Sequence, residues 1–388
     1  MNLLNNNSII DTLHGKIRVN KHIVDKPIRF GFFVVGAFIF FLTLIEFSFF
    51  LKFRKYDLFY NAPQIDELNF RLFNVLDPVL GYASNSAFSP SETEIKQNFF
   101  ATPDRIKTLG NGFVTFENRS EPKPIKIVIL GESTSDPYLF NGNWPWSLHE
   151  ILEQKKISHV IYNGAVSGYT SSQQLYKLIR DVLYLDNPDI IIAFNGLTDV
   201  PATGDVVEGH VGVHVYQKFL FDVLSGNPPE GREPRFLPNS QFGIKQIFSK
   251  VLFQNRSFVQ YGVGNVNALG TFVNNIKIMN AVCETKNISF FHFLGQIEQS
   301  PKQKDLTMYQ SKIFQYSDEN VASVHEFFKK SEQLLKSEKY SVSLYNVLPA
   351  DEPLFVDIGH LNPTGSKIIA EKIFQNLEPV IKKLGRKQ

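Results

Sequence analysis

From residue 125 onward, the chain shows two patterns of apolar and polar residues, namely short apolar runs and longer amphipathic stretches. Short apolar runs at 125–130, 159–162 and 189–194 contain many β-branched residues, and each is followed directly by glycine or by asparagine and glycine. Runs of this kind are typical of strands that are buried on both faces of a parallel sheet. Amphipathic helical patterns lie between them, which predicts an α/β fold built on a parallel sheet with right-handed crossovers.

Several of these helical patterns carry their own start signals. Residues 145–154 begin with a proline, which suits the first turn of a helix. The next helix has apolar residues at i, i+3, i+4, i+7 and i+8, and Ser171 with Gln174 predicts a capping box at its start. Further on, the patterns predict helices over 266–284, 319–335 and 363–384, and strands over 288–294 and 354–356.

The longest apolar stretch lies near the N-terminus, over residues 30–51, with Glu46 as its only charged residue. At about 1.5 Å per residue, a helix of this length crosses a hydrocarbon layer of roughly 30 Å. Core helices that are apolar on every side are rare in a domain of this size, and a cleaved signal peptide has a shorter apolar core. The stretch also runs into Lys52 and Arg54 rather than a small-residue cleavage site, so an uncleaved anchor over residues 30–53 is predicted. Basic residues are more numerous before the span than just after it, which favours a cytoplasmic N-terminus.

Composition and charge narrow the classes of function. The 388 residues include 40 Lys and Arg against 38 Asp and Glu, so the net charge of +2 gives no global field that would attract nucleic acid. The single cysteine, Cys283, can form neither an intramolecular disulfide nor a zinc cage. The chain divides into a basic cytoplasmic tail (1–29), the anchor (30–53), an irregular lead-in with short strands (54–120) and one α/β domain (121–388).

Polar residues follow the predicted strands where ligands bind in open parallel sheets, at the carboxyl ends of the strands. Ser133 comes just after the first strand, and Asp357 and His360 come three residues apart before the last helix. A serine hydroxyl becomes a good nucleophile when a base takes its proton, and a carboxylate can hold the ring of that base in the right tautomer. We therefore predict Ser133, His360 and Asp357 as the catalytic residues.

Four blocks of the chain resemble those of the SGNH (GDSL-type) hydrolases. The first family block, Gly-Asp-Ser-x-Ser, is similar to Gly-Glu-Ser-Thr-Ser here, with Glu132 in place of aspartate. The second block is marked by a glycine, the third reads Gly-x-Asn-Asp, and the last reads Asp-x-x-His. In the family's order, the blocks correspond to residues 131–135, Gly168, 196–199 and 357–360, and the resemblance covers about residues 125–377.

The resemblance implies a flavodoxin-like three-layer sandwich in which Ser133 attacks an ester carbonyl and His360 shuttles the proton. It also implies an oxyanion hole made by the backbone N–H of Ser133, the backbone N–H of Gly168 and a side chain of the third block. Thr198 stands where the family has an asparagine donor, and Asn195 is the alternative donor nearby. The loss of one oxyanion donor typically costs about 3 kcal/mol, or roughly 10²- to 10³-fold in rate.

The remaining candidates indicate no cofactor and no metal. His210 and His214 are four residues apart, but the Val-Gly-Val between them is poor helix and lacks the glutamate of a zinc-protease motif, which favours a loop. Trp144 and Trp146 follow the nucleophile loop and are candidates for a substrate-binding wall against a sugar ring. Core packing of the first helix is the alternative for both.

Together these features predict a membrane-anchored serine esterase or O-acyltransferase that works through an acyl-enzyme. The anchor implies a single-pass protein of the cell membrane with its catalytic domain outside the cytoplasm, in the periplasm if the cell is Gram-negative. The predicted substrate is an acylated, most simply O-acetylated, extracytoplasmic glycan or a small ester, with no nucleic acid and no assigned protein partner. Two alternatives stay open, namely a catalytically weak SGNH-fold protein that binds glycan or serves envelope assembly, and a lipase or esterase acting on membrane lipids.

Overall fold

The computed structural model describes residues 40–41, 44, 74–77, 79–84, 107–109, 112–137, 143–200, 266–297, 318–349, 352, 354–355 and 359–385. Across these ranges, no helix is both long enough and apolar enough to cross a membrane. The described residues exclude the basic tail and, apart from residues 40, 41 and 44, the predicted anchor. They also exclude His210, His214 and Asp357. The structure therefore covers parts of the lead-in and much of the predicted α/β domain.

The described residues form a two-stranded hairpin and a seven-stranded sheet. The hairpin consists of β1 (Asn74–Asp77) and β2 (Gly81–Ser84). The sheet contains β3 (Lys107–Leu109), β4 (Phe113–Asn118), β5 (Ile125–Gly131), β6 (His159–Asn163), β7 (Ile190–Asn195), β8 (Ser289–Leu294) and β9 (Ser341–Ser343), in the spatial order β3-β4-β6-β5-β7-β8-β9. The pairs between β6 and β9 are parallel, whereas β3 pairs with β4, and β4 with β6, in antiparallel fashion. The predicted α/β class is confirmed as a mixed, mostly parallel sheet.

The last parallel strand differs from its prediction. Of the predicted strand at 354–356, residues 354 and 355 are described, and Phe355 forms only an isolated antiparallel bridge with Leu361. The strand that pairs with β8 is β9, whose sequence is Ser-Val-Ser. Three half-buried residues, two of them serines, carry no apolar run, so no periodic signal could mark them as a strand.

Five α-helices pack against this sheet within the described ranges, namely α1 (Trp144–Gln154), α2 (Ser171–Arg180), α3 (Val266–Thr285), α4 (Asp318–Leu335) and α5 (Pro363–Gly385). The capping box of α2 lies one residue earlier than predicted. The Thr170 side chain accepts a hydrogen bond from the backbone N–H of Gln173, and the Gln173 side chain accepts one from the backbone N–H of Thr170. Thr170 has the extended backbone that an N-cap residue needs, whereas Ser171 is already helical.

The helices cover both faces of the sheet, which gives three layers. In β5, Ile127 and Ile129 point into a core shared with α1 and α5, while Val128 and Leu130 point into a core shared with α2, α3 and α4. The same alternation holds in β7, which is buried along its whole length. Strands that are apolar on both faces are what a sheet covered on both sides requires.

The β1–β2 hairpin lies against α2, although it belongs to the predicted lead-in. Asp77 accepts hydrogen bonds from Nη1 of Arg180 at 2.7 Å to each carboxylate oxygen. The carbonyl of Leu80 accepts a hydrogen bond from Nε2 of Gln173 at 2.8 Å. The ring of Tyr82 is fully buried and meets the ring of Tyr169 edge-on, with centroids 5.4 Å apart. These contacts hold the hairpin beside the loop that precedes α2.

Candidate active site

The first loop of the site follows β5, and the segment before α5 meets it. The hydroxyl of Ser133 lies 2.7 Å from Nε2 of His360, although 227 residues separate the two along the chain. With the imidazole proton on Nδ1, the serine hydroxyl donates to Nε2, which is the geometry of a nucleophile with its base. Two of the three predicted catalytic residues thus meet, and the third, Asp357, lies outside the described residues.

A tight turn at the end of β5 places Ser133. The backbone N–H of Ser135 donates to the carbonyl of Glu132 at 2.9 Å, and the N–H of Asp136 donates to the carbonyl of Ser133 at 3.3 Å. Glycine is needed at Gly131, because a Cβ there would lie 2.7 Å from the side chain of Ser135. The turn therefore positions the Ser133 hydroxyl at the carboxyl end of β5.

The histidine side of the site is positioned by β8 and by the start of α5. The Nε2 of Gln296, just after β8, donates to the carbonyl of Gly359 at 3.1 Å. A Cβ at Gly359 would collide with the side chain of Leu197, so this loop passes directly against the loop that follows β7. Asn362 then caps α5 by accepting a hydrogen bond from the backbone N–H of Gly365 at 2.9 Å. His360 is fixed between these two attachments.

The loop after β6 places Gly168 in a reverse turn. The N–H of Tyr169 donates to the carbonyl of Val166 at 3.1 Å, and Gly168 has φ +80°, the value at the third position of a type II turn. No described residue accepts a hydrogen bond from the backbone N–H of Gly168 or from that of Ser133. Both donors can therefore serve the negative oxygen of a tetrahedral intermediate.

Glu132 ties the nucleophile turn to the loop after β7. Its carboxylate is buried and accepts hydrogen bonds from the backbone N–H of Leu197 at 3.2 Å and of Thr198 at 2.6 Å. It also accepts a short hydrogen bond from the Thr198 hydroxyl. Burial raises the pKa of Glu132, and the hydrogen bonds from Thr198 and the nearby charge of His360 oppose that rise.

The two predicted side-chain donors of the oxyanion hole are engaged elsewhere. The one hydroxyl proton of Thr198 is shared between Glu132 and the carbonyl of Tyr169, which lies 2.5 Å from Thr198 Oγ1. Asn195 is fully buried, and its Nδ2 donates to Gln174 at 3.1 Å. The assignment of Thr198 or Asn195 to the hole is corrected accordingly, because an oxyanion would have to break these bonds first.

A buried histidine completes the surroundings of Asn195. His292 lies with Nε2 2.8 Å from Oδ1 of Asn195 and with Nδ1 2.7 Å from the hydroxyl of Ser341. Burial lowers the pKa of His292 to about 3, so the ring is neutral, with Nε2–H donating to Asn195 and Nδ1 accepting from Ser341. This chain of hydrogen bonds crosses from β9 through β8 and β7 to α2 and fixes the amide of Asn195.

Trp144 belongs to the core, which contradicts its prediction as part of a substrate wall, whereas Trp146 is half-buried and packs against the same core. Trp144 is 1% exposed, stacks on Phe194 with ring centroids 5.0 Å apart, and donates its indole N–H to the hydroxyl of Ser135 at 2.9 Å. Trp146 meets Phe116 edge-on at 5.4 Å and donates its indole N–H to Glu150 at 3.1 Å. The alternative of core packing holds for Trp144, and a substrate contact of Trp146 stays a prediction.

Two carboxylates outside the predicted set of site residues, those of Asp136 and Asp199, support the site. Asp136 accepts hydrogen bonds from the N–H of Ser167 at 2.8 Å and from its hydroxyl at 2.7 Å, which joins the loop after β5 to the loop after β6. Asp199 accepts from the N–H and the hydroxyl of Ser171 at the start of α2. Burial and the charge of Glu132 raise the pKa of Asp199 to about 7, against the lowering effect of the bonds from Ser171. Both residues follow predicted strands, and this position in the sequence is the feature that could have predicted them as part of the site.

No group of three or more His, Cys, Asp or Glu side chains that could hold a metal ion occurs among the residues whose placement is described. The contact between Ser133 and His360 offers a hydroxyl nucleophile beside an imidazole base, and the loops around it offer backbone N–H donors.

Replacement of Thr198 by valine tests where its hydroxyl acts. We expect Thr198→Val to lower the free energy of unfolding by about 1–2 kcal/mol, because Glu132 and the Tyr169 carbonyl lose a partner. The kcat for an activated acetyl ester should stay within about fivefold of wild type, well short of the roughly 10²- to 10³-fold loss that follows removal of an oxyanion donor. Thr115→Val is the matched control, since the buried Thr115 hydroxyl has no partner among the described residues. A fall in kcat by two orders of magnitude or more would contradict this and would indicate that the Thr198 hydroxyl donates to the oxyanion.

The raised pKa of Asp199 makes a prediction about stability and pH. A carboxyl whose pKa is higher in the folded state than in the unfolded state stabilises the fold at low pH, and that contribution is lost as pH rises through the folded pKa. Between pH 5 and pH 8, Asp199→Asn should therefore gain stability relative to wild type by about 1–3 kcal/mol, measured by thermal or urea unfolding. The exposed Asp186→Asn is the control and should show no such gain. A constant difference between Asp199→Asn and wild type across this range would contradict the prediction.

No protein-family model matches the chain, and no curated protein matches it. A GDSL-like lipase from Bacteroides thetaiotaomicron matches in structure with a TM-score of 0.37 and 15% identity, over 68% of this chain and 92% of that chain. The lipase/acylhydrolase from Enterococcus faecalis matches with a TM-score of 0.36 and 13% identity, over 66% and 96%. A variant of an acetyl-xylooligosaccharide esterase from Geobacillus matches with a TM-score of 0.38 and 12% identity, over 65% and 94%. At such identities and scores, the roles of residues in this chain rest on its own geometry.

Proposed function

We propose that this protein is a serine ester hydrolase in which Ser133 is the nucleophile and His360 is the general base. The observation that carries the proposal is the 2.7 Å contact between Ser133 Oγ and His360 Nε2 at the carboxyl edge of a parallel sheet. The backbone N–H groups of Ser133 and Gly168, which have no acceptor among the residues that the structure describes, belong to the same set of loops. A nucleophile, a base and oxyanion donors are the parts that acyl transfer needs.

The chemical steps follow from these positions. Ser133 Oγ attacks the ester carbonyl carbon while His360 Nε2 takes the hydroxyl proton, and the carbonyl oxygen becomes negative and accepts from the two N–H groups. His360 then gives its proton to the departing alkoxide oxygen, and the alcohol leaves. The acyl group stays bonded to Ser133 Oγ as the acyl-enzyme. Water attacks that acyl group, His360 takes a proton from the water and returns one to Ser133, and the carboxylic acid is released.

Two further residues would support these steps. Asp357 is three residues before His360, and in our proposal its carboxylate accepts a hydrogen bond from Nδ1–H and stabilises the imidazolium. The buried Glu132 carboxylate adds negative charge near the same ring. With Thr198 bound to Glu132, the oxyanion relies on backbone donors alone, and one donor fewer lowers the rate by roughly 10²- to 10³-fold. A modest kcat is therefore part of the proposal.

For the substrate, we propose acyl groups, most simply O-acetyl groups, on an extracytoplasmic glycan. The support for this step is the predicted anchor at 30–53, which would hold the active site outside the cytoplasm close to the membrane. A sugar hydroxyl in place of water in the second step would make the protein an O-acyltransferase with the same residues. A lipase acting on membrane lipids is the alternative that the same anchor allows.

A second candidate function follows from the engaged Thr198 hydroxyl. A protein that has lost a side-chain oxyanion donor can keep the shape of an ester-binding cleft without useful turnover, so glycan binding or a role in envelope assembly is the alternative.

The nucleophile is tested with a fluorophosphonate probe and an activated acetyl ester. Wild type should be labelled covalently and should hydrolyse the ester, whereas Ser133→Ala should lose all labelling and His360→Ala should lose at least about 10³-fold in kcat/KM. Ser120→Ala, at an exposed position, is the matched control and should behave as wild type. Undiminished labelling of Ser133→Ala would remove Ser133 as nucleophile, and absence of labelling and of ester hydrolysis in wild type would also favour the binding function.

The substrate class is tested with esters of increasing acyl length and with an acetylated oligosaccharide. A glycan O-acetyl esterase should prefer acetyl over octanoyl p-nitrophenyl esters by about tenfold or more in kcat/KM, equivalent to roughly 1.4 kcal/mol, and should release acetate from the oligosaccharide. Higher kcat/KM for the octanoyl ester would support the lipase instead. Transfer of acetyl to an added unacetylated oligosaccharide, rather than release of acetate, would identify the transferase.

A further inference from the structure

The hairpin of the lead-in reaches the loop that carries Gly168. The hydroxyl of Tyr82, in β2, donates a hydrogen bond to the carbonyl of Ser167 at 2.7 Å, and the two residues are 85 positions apart. Tyr82 is fully buried. A Cβ added to Gly168 would lie 2.6 Å from the same hydroxyl, so the hydroxyl sits directly against the Gly168 backbone. Burial and the nearby Asp136 carboxylate raise the pKa of Tyr82, which keeps the hydroxyl protonated as a donor.

The carbonyl that Tyr82 holds belongs to the same peptide unit as the Gly168 N–H. A peptide unit is planar, and in its trans form the C=O and the N–H point in opposite directions. No cis peptide bond occurs among the described residues. The bond from Tyr82 to Ser167 O therefore fixes the direction of the Gly168 N–H, which points away from the hairpin.

This peptide unit is also the one that can turn over. The reverse turn runs from Val166 to Tyr169, so the Ser167–Gly168 peptide is its central unit. Type I and type II turns differ mainly by a rotation of that central unit, which changes φ at the third position from about −90° to about +80°. Glycine populates both values readily, so Gly168 alone does not choose between them. The observed φ of +80° is the value that presents the Ser167 carbonyl to Tyr82.

We propose that Tyr82 is a positioning residue of the oxyanion hole, which acts by holding the Ser167–Gly168 peptide in the orientation that offers the Gly168 N–H to the substrate. The inference rests on the proposed function, because it assigns Gly168 to that hole. The peptide before this unit is held separately, since Asp136 accepts from the Ser167 N–H at 2.8 Å. Among the described contacts, the hydrogen bond from Tyr82 is thus the one that fixes the orientation of the Ser167–Gly168 peptide.

The other hairpin contacts fit this role. The hydroxyl of Tyr169 donates to the carbonyl of Tyr82 at 2.5 Å, and Asp77 and Leu80 bind Arg180 and Gln173 of α2. The hairpin is therefore attached to the helix that follows the Gly168 turn, at several points around the turn. A segment that precedes the sheet in sequence would in this way contribute to the chemistry at its carboxyl edge.

Replacement of Tyr82 by phenylalanine tests the proposal in the full-length protein. Phenylalanine keeps the ring that packs against Tyr169 and removes the hydroxyl that donates to Ser167. We expect Tyr82→Phe to lower kcat for the activated acetyl ester by about 10- to 100-fold while KM changes less than about threefold, because an oxyanion contact is made in the transition state. Tyr345→Phe is the matched control, since it removes a buried tyrosine hydroxyl that bonds to His325 away from the site, and it should keep the wild-type kcat.

Fluorophosphonate labelling provides the second measurement, because the phosphoryl oxygen of the probe occupies the oxyanion hole. Tyr82→Phe should be labelled to the same end-point as wild type but about 10- to 100-fold more slowly. A wild-type rate would overturn the inference and leave the proposed function intact, and so would a fall in kcat that Tyr345→Phe shares. An end-point near zero for Tyr82→Phe alone would overturn it as well, because Tyr82 would then serve folding. A wild type that is not labelled would overturn the proposed function and this inference together.

Discussion

The parallel pairing of β5 with β6 on one side and β7 on the other is the constraint on which the candidate site depends. Parallel strands deliver their following loops to one edge of the sheet, so the three loops that carry Ser133, Gly168 and Thr198 begin as neighbours. Two buried carboxylates then join these loops to one another. Glu132 reaches from the first loop to the third, and Asp136 reaches from the first to the second. The sheet brings the loops close together, and the hydrogen bonds to the two carboxylates fix the positions of the loops relative to one another.

One of these carboxylates, that of Glu132, also occupies a side-chain donor that could otherwise serve a substrate, the hydroxyl of Thr198. Two side-chain groups near the nucleophile are already bonded, since Thr198 bonds to Glu132 and Asn195 bonds to Gln174 and His292, and breaking the hydrogen bonds of buried polar groups is costly. Backbone N–H groups remain. A backbone donor cannot rotate independently as a side chain can, because its direction is set by the plane of its peptide unit. The precision of such a site therefore lies in turn geometry and in whatever holds the turn.

The sequence was sufficient for features that depend on local pattern, and insufficient for features that depend on distant contacts. Periodicity located the three apolar strands and four of the five helices to within about a residue, whereas α2 ends at Arg180, before Val182 and Leu183 of the predicted pattern. A strand-end rule brought Ser133 and His360 together. β9 has no apolar run, so only its pairing with β8 identifies it. The burial of Trp144 depends on Phe194, fifty residues away, and the bond from Tyr82 to the Gly168 turn spans an even longer separation. Spacing along the chain carries no information on such pairs.

The antiparallel strand β4 has a consequence for where this domain can be divided. β4 lies before residue 121, yet it covers the outer edge of β6, whose residues Val160 and Ile161 are fully buried. A fragment that began at residue 121 would turn β6 into an unprotected edge strand with a row of unpaired N–H and C=O groups and an apolar sequence. Edges of that kind recruit other chains and aggregate. The part of the lead-in that forms β3 and β4 is therefore integral to the folding unit, and its removal would make the protein insoluble before any loss of catalysis could be measured.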